Sequence, residues 1–238
     1  LAKDGKARVG ELSTSRHTLK TPVFMPVGTR GAVRTITSQD LEELGADIVL
    51  GNTYHLMLRP GEELIKKFKG LHGFSNWDRL ILTDSGGYQV FSLEPDVDDD
   101  GVTFKSTYDG SLHRLTPEKA VEIQNALGSD IQMALDVCPP LPADKEIIEL
   151  AVERTNSWAL RARKHFLKTS YDSPNQHAQF GIAQGGLDLN LRKKSAEQIV
   201  EIGFDGYAIG GLSVGETREE MLDPMKESVK YLPRERPR

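Results

Sequence analysis

The chain has 238 residues, of which 38% are hydrophobic and 27% charged, a globular composition that excludes disorder as its overall state. Its formal net charge is −5, with 30 Lys and Arg against 35 Asp and Glu, so nucleic acid could be met only through a local patch. One cysteine, Cys138, excludes an internal disulfide and a Cys-rich zinc site.

No run approaches the roughly 18 apolar residues of a membrane span, and the first residues carry no apolar signal segment. A cytoplasmic setting with no membrane partner is therefore expected. The chain opens on Leu1 rather than Met, and it is expected to be a piece of a longer product.

In chain order, β-type runs alternate with helix-type segments. Strands are predicted over 7–12, 22–27, 47–51, 80–83, 130–135, 179–183 and 207–209. Most are continuous apolar runs rather than alternating ones, the pattern of parallel strands covered by helices on both faces. Thr37-Ser38-Gln39-Asp40 opens a helix with a capping-box pattern ahead of Leu41 and Leu44, and Gly45 stops it. Thr116-Pro117-Glu118 starts another, through 127, with a Pro in the first turn. The longest helix is predicted over 143–168, with Ile147, Leu150, Ala151, Trp158 and Ala162 as its inner stripe. Helices over 190–202 and 217–232 follow, and Pro224 is expected to kink or interrupt the second.

Residues 102–106 and 113–115, joined through Asp109-Gly110, read as an inserted hairpin near 102–115, and the acidic stretch 96–100 before it as a solvated loop. The pattern is α/β with about six β/α units. A TIM-type (β/α)8 barrel needs eight. Six units cannot close a barrel: either the sheet is open, or the chain is a single, incomplete barrel domain over 1–238 that stops short of its fold, a seventh strand being due within 232–238.

In α/β folds ligands bind beyond the carboxyl ends of the parallel strands. Those ends carry Asn52, Thr53, Tyr54 and His55; Asp84 to Gln89; Asp136 and Cys138; Gln184-Gly185-Gly186; and Gly210-Gly211-Leu212. Single pieces have plainer explanations. An Asp after a strand is often a helix cap, a diglycine is often only a turn, and Gln184 could satisfy local backbone. Cys138 reads as a packed small residue, since no His is placed to activate it. His55 reads as structural, and Tyr88 as either core or a cover over a planar ligand.

No phosphate-binding Walker loop and no G-x-S-x-G elbow is present. A carboxylate, a carboxamide and backbone amides together suit a planar heterocycle that both donates and accepts, as guanine does. Asp136 would accept from its donor edge, while Gln184 and the Gly211 amide would donate to its acceptor edge. Arg161, Arg163 and Lys164, or Arg192, Lys193 and Lys194, could touch RNA phosphates; solvated helix faces are the expected role.

The runs TPVFMPVGT (21–29), GNTYHL (51–56), DSGGYQ (84–89), LGSDI (127–131), QGG (184–186) and GYAIGGL (206–212), in this order and spacing, resemble the tRNA-guanine transglycosylase family. The resemblance implies a (β/α)8 barrel with a zinc-binding insertion. It also implies replacement of guanine at the wobble position of tRNA by a 7-deazaguanine base, through a covalent intermediate with net retention. On the matching motifs, Asp84 would be the general acid/base, with Ser85, Gly86, Gly87 and Tyr88 continuing its wall. Asp136 and Gln184 would recognise the base, and Gly211 and Leu212 would complete the pocket. Asp136 with Cys138 resembles the bacterial type, which uses 7-aminomethyl-7-deazaguanine (preQ1).

The implied partners are tRNA, guanine, preQ1 and a second copy in a homodimer. The family's nucleophilic aspartate and its Cys/His zinc ligands match nothing in this sequence, so the chain is expected to be about the N-terminal two-thirds of such an enzyme. The alternative is a non-catalytic partner subunit, or an inactive fragment, that binds base or tRNA without turnover.

Overall fold

The computed structural model describes residues 1–169 and 177–238. Its elements run β1 (Ala2–Asp4), β2 (Ala7–Ser13), β3 (Thr18–Thr21), α1 (Ser38–Glu43), β4 (Ile48–Gly51), α2 (Thr53–Leu58), α3 (Glu62–Lys67), α4 (Gly70–Ser75), β5 (Leu80–Thr83) and α5 (Gly87–Phe91). They continue with β6 (Asp96–Val97), β7 (Val102–Lys105), β8 (Leu112–Leu115), α6 (Pro117–Leu127), β9 (Ile131–Met133), α7 (Lys145–Thr169), β10 (Ala178–Ala183), α8 (Leu189–Ile202), β11 (Gly206–Ile209) and α9 (Arg218–Tyr231). Register is parallel in β4–β5 and β5–β9, and again in β10–β11. Parallel strands separated by helices are the β/α repeat of a (β/α)8 barrel.

The chain divides into two compact units. The first comprises Leu1–Asp84, Glu122–Gln132 and Thr169–Ala178. In it β1, β2 and β3 form an antiparallel sheet. The box predicted at Thr37 forms: its hydroxyl accepts from the Asp40 amide at 3.1 Å, and the Asp40 carboxylate accepts from the Thr37 amide at 2.8 Å.

The strand predicted over 22–27 does not form. Pro22 and Pro26 have no N–H to give to a ladder, and only Val27 bridges, to Leu50. Between β4 and β5 the chain makes three short helices, α2 to α4, that the apolar pattern did not announce.

The second unit comprises Ser85–Val121, Met133–Lys168 and Gln179–Arg238. Its core joins Ala159, Ala162 and Phe166 of α7 to Ala196 and Ile199 of α8, with Ala183, Phe204 and Tyr207. The inner stripe of α7 is Ile148, Ala151, Val152, Thr155, Trp158, Ala159, Ala162, Arg163 and Phe166. Ile147 and Leu150, predicted inside, are exposed; at 100° per residue they lie about 90° and about 150° around the helix from the centre of the row that packs. Helix α9, capped by Thr217 and Glu220, runs through Pro224 at its middle without interruption, forfeiting one backbone bond there. The Tyr207 amide donates to the Pro237 carbonyl at 3.0 Å, so the chain returns beside β11 within the stretch where a further strand was expected.

Strands β7 and β8 form the hairpin, and β6 adds a third strand to it. Residues 98–100 of the acidic stretch are an exposed loop, as expected, while 96–97 pair as β6. Asp98 accepts from the amides of Asp100 and Gly101 and pairs with Arg114 at 2.6 Å, Asp99 pairs with Arg154, and the Asp99 carbonyl accepts from the Trp158 indole.

Candidate active site

In the first unit, β4 delivers Asn52 and Thr53 and β5 delivers Asp84. The Asp84 amide donates to the Gly51 carbonyl at 3.1 Å, continuing the ladder one residue past the strand. Its carboxylate is held at both oxygens. The Asn52 carboxamide donates to Oδ2, and the Thr53 amide donates to Oδ1 at 2.8 Å. The Thr53 hydroxyl donates to the Asp84 carbonyl at 2.6 Å.

Asn52 and Thr53 are buried while Asp84 is half-buried, so a fixed carboxylate reaches the surface from a buried support. Such a group is set to accept or return a proton in a defined direction. His55, read as structural, packs edge-on against Tyr54, and burial, assisted by the charge of Arg30, lowers its pKa and keeps it neutral.

In the second unit, Asp136 follows β9 and Gln184 follows β10. Both are buried, and the Gln184 Nε2 donates to Asp136 Oδ2 at 2.6 Å. Because a carboxylate only accepts, this bond fixes the carboxamide's orientation. The Gln184 backbone is anchored separately, its amide donating to the Ser195 hydroxyl at 2.9 Å. Gly211, at φ 63°, closes over the carboxamide: a methyl group there would sit 2.2 Å from Gln184 Oε1. Gly185 is required for a different approach, since a side chain would strike the Arg192 backbone nitrogen at 2.7 Å.

The other expected residues in this unit are Ser85, Gly86, Gly87, Tyr88, Cys138 and Leu212. The Ser85 hydroxyl is buried and accepts from the Gly87 amide at 3.2 Å, which shapes the turn into α5. Tyr88 is 61% exposed, which excludes the core role and leaves it free to cover a ligand. Leu212 is half-buried. Burial, and then the charge of Asp136, push the Cys138 thiol up to about 11, so it stays protonated at neutral pH and is not a nucleophile.

Three of the arginines considered for RNA have other partners. Arg161 grips the Glu118 carboxylate through two nitrogens at 2.8 and 2.9 Å, and Arg163 is buried on Asp205 at 2.8 Å against the rings of Phe166 and Phe204. Arg192 is wholly buried and, among the described residues, donates to backbone carbonyls only. Lys193 and Lys194 pair with Glu197 and Glu153, and Lys164 is exposed. The sequence did not point to Asn52, Thr53, Ser195 or Arg192 as supports. The available signal was an Arg on the inward row of α8, beside Leu191, Ser195 and Ala196.

The family model described as queuine tRNA-ribosyltransferase matches residues 4–238. A queuine tRNA-ribosyltransferase of Thermotoga neapolitana is 57% identical over 235 residues, which is 98% of this chain and 62% of that protein. One from Natranaerobius thermophilus is 49% identical over 239 residues, covering 100% of this chain and 63% of the relative. One from Caldanaerobacter subterraneus is 51% identical over 235 residues, covering 98% and 61%. The chain thus spans less than two-thirds of the length of the curated relatives it matches.

Proposed function

Because this chain belongs to the queuine tRNA-ribosyltransferase family, we propose that the full-length protein is a tRNA-guanine transglycosylase. It would exchange guanine at the wobble position of tRNA for preQ1. The observation that carries this reading is the buried Asp136–Gln184 pair under Gly211, an acceptor beside a carboxamide and a backbone amide. Guanine offers the complementary edges: N1–H and the N2 amino group to Asp136, and O6 and N7 to Gln184 and the Gly211 amide.

The target nucleotide enters flipped from its stack, at a cost of a few kcal/mol. A carboxylate from the part of the relatives' length that this chain does not span attacks C1′. Guanine leaves as Asp84, steadied by Asn52 and Thr53, manages its proton. The incoming base displaces the enzyme carboxylate, and two inversions give net retention, as in retaining glycosidases.

The family implies structural zinc, but the residues here do not fit it. Among the described residues no three His, Cys, Asp or Glu side chains gather as a metal would require, and no step is assigned to the metal. A homodimer in the cytoplasm belongs to the same proposal. Among the described residues no helix is long and apolar enough to cross a membrane.

Labelled guanine supplied with tRNA tests the proposal. The full-length protein should transfer label into the tRNA and lose it again to excess preQ1. Binding of guanine or tRNA without incorporation would favour the non-catalytic partner instead.

A further inference from the structure

Arg192 lies on α8, and its guanidinium is fully buried. Among the described residues it forms no ion pair with a carboxylate. Its donors go to four carbonyls: Nε to Gly186 at 2.7 Å, one terminal nitrogen to Gly210 at 2.6 Å and Ala183 at 3.3 Å, and the other to Gly211 at 2.9 Å. A buried cation is costly unless its hydrogen bonds are satisfied, and a packed apolar side chain in its place is often no less stable. This cation spans the ends of β10 and β11, the two segments that carry Gln184 and Gly211.

Two consequences follow from the geometry. The Gly210 carbonyl and the Gly211 N–H belong to one peptide group. A charge-assisted bond of 2.6 Å to that oxygen draws electron density toward it and makes the N–H a stronger donor. With the Gly211 oxygen also held by the same guanidinium, the peptide's direction is fixed on both sides. Gly185 allows the arrangement, since only the absence of a side chain lets α8 approach this closely.

We propose that Arg192 is a positioning residue for base recognition, which aims and polarises the Gly211 amide toward the carbonyl edge of the purine. This rests on the reading of Asp136, Gln184 and Gly211 as the base pocket. It adds a residue that touches no ligand and acts through a backbone donor. The charge, more than the volume, carries the effect. Lysine in its place keeps the cation but reaches fewer carbonyls, while methionine keeps the length and loses every donor.

The test is equilibrium binding of guanine and of 6-thioguanine to the full-length protein, native, R192M and R192K, with thermal unfolding to check the fold. 6-Thioguanine keeps the donors that face Asp136 and presents a weaker acceptor at position 6. The native protein should prefer guanine. R192M should lose about tenfold or more in guanine affinity, the scale of one charge-assisted hydrogen bond. It should lose clearly less for 6-thioguanine, and R192K should recover part of the difference.

Equal guanine affinity in native and R192M protein would overturn the inference. So would equal losses for both ligands, since a purely structural role predicts those. If R192M does not fold, the same comparison of the two ligands in R192K decides. A native protein that binds neither purine would instead overturn the base-pocket reading beneath it, and this inference with it.

Discussion

Asp130 stands immediately before β9 and Asp136 shortly after it, and their surroundings differ in kind. Asp130 is buried and accepts from the Arg16 guanidinium at 3.0 Å, the His72 imidazole at 2.9 Å and the Ile81 amide at 2.8 Å. It ties the β2–β3 turn, α4 and β5 to one point. Asp136 is also buried and accepts from the neutral carboxamide of Gln184, while the buried Arg192 of the same unit donates to carbonyls. A carboxylate paired with a guanidinium and satisfied by an imidazole and a backbone amide holds elements together. One that accepts from a carboxamide can take further donors, since each carboxylate oxygen has more than one acceptor position; that is the role proposed above for Asp136. The division matches barrel folds, where the carboxyl ends of strands carry chemistry and the amino ends carry stability.

The comparison is tested most severely at the carboxyl ends. Asp84→Asn keeps the shape but removes the proton acceptor, and base exchange by the full-length protein should fall by about a thousandfold, within the range of general acid–base effects. Binding of tRNA, measured by filter retention, should be unchanged. Retained turnover would remove Asp84 from the chemistry.

At the amino end the expected loss is in stability. Asp130→Asn leaves Arg16 and His72 facing a neutral group and should cost about 2–3 kcal/mol in urea unfolding at pH 7, at the low side for a broken buried pair because Arg16 is partly exposed. Guanine affinity should not move. Burial works to raise the Asp130 carboxyl, but the His72, Ile81 and Arg16 donors outweigh it and hold its pKa below the usual value. A group lowered on folding stabilises above its unfolded pKa of about 3.9 and loses that contribution as the pH falls through its folded value. The gap between native and Asp130→Asn stability should therefore narrow below about pH 4. A gap that stays constant down to pH 2.5 would contradict this.

These roles were legible in the sequence to different depths. The short parallel strands were visible because their apolar runs are continuous, and α1, α6, α8 and α9 because caps and turn residues mark their ends. The run over 22–27 looked like a strand on hydropathy alone, and its two prolines decided against pairing. On α7 the length was readable and so was most of the inner row, since Ala151, Trp158 and Ala162 are buried as predicted; only near its start, where Ile148 and Val152 compete with Ile147 and Leu150, did the pattern mislead. Helices α2 to α4 are six residues each, too short for a helical period to show in the sequence.

At the candidate site, strand-end position alone picked out Asp84, Asp136 and Gln184. Their supports were hidden, because Asn52 and Arg192 act through contacts distant in sequence. The acidic residues at 98–100 were legible as an exposed loop, but their partners Arg114, Arg154 and Arg161 arrive from other elements and were not.

A smaller effect sharpens the account of Gly211. Gly211→Ala would place a methyl group 2.2 Å from Gln184 Oε1 on a backbone with φ 63°. The carboxamide must shift, and guanine affinity should fall by about tenfold while stability changes by about 1–2 kcal/mol. Native affinity in calorimetric titration would show that the carboxamide is not positioned by this glycine.

The most direct measurement is a calorimetric titration of guanine into the full-length protein and into its Asp136→Asn variant, with Asp130→Asn as the control. The account predicts binding by the native protein, a loss of about tenfold or more in Asp136→Asn as the acceptor facing two donors becomes a neutral amide, and native affinity in Asp130→Asn. Equal affinities in native and Asp136→Asn protein would contradict it.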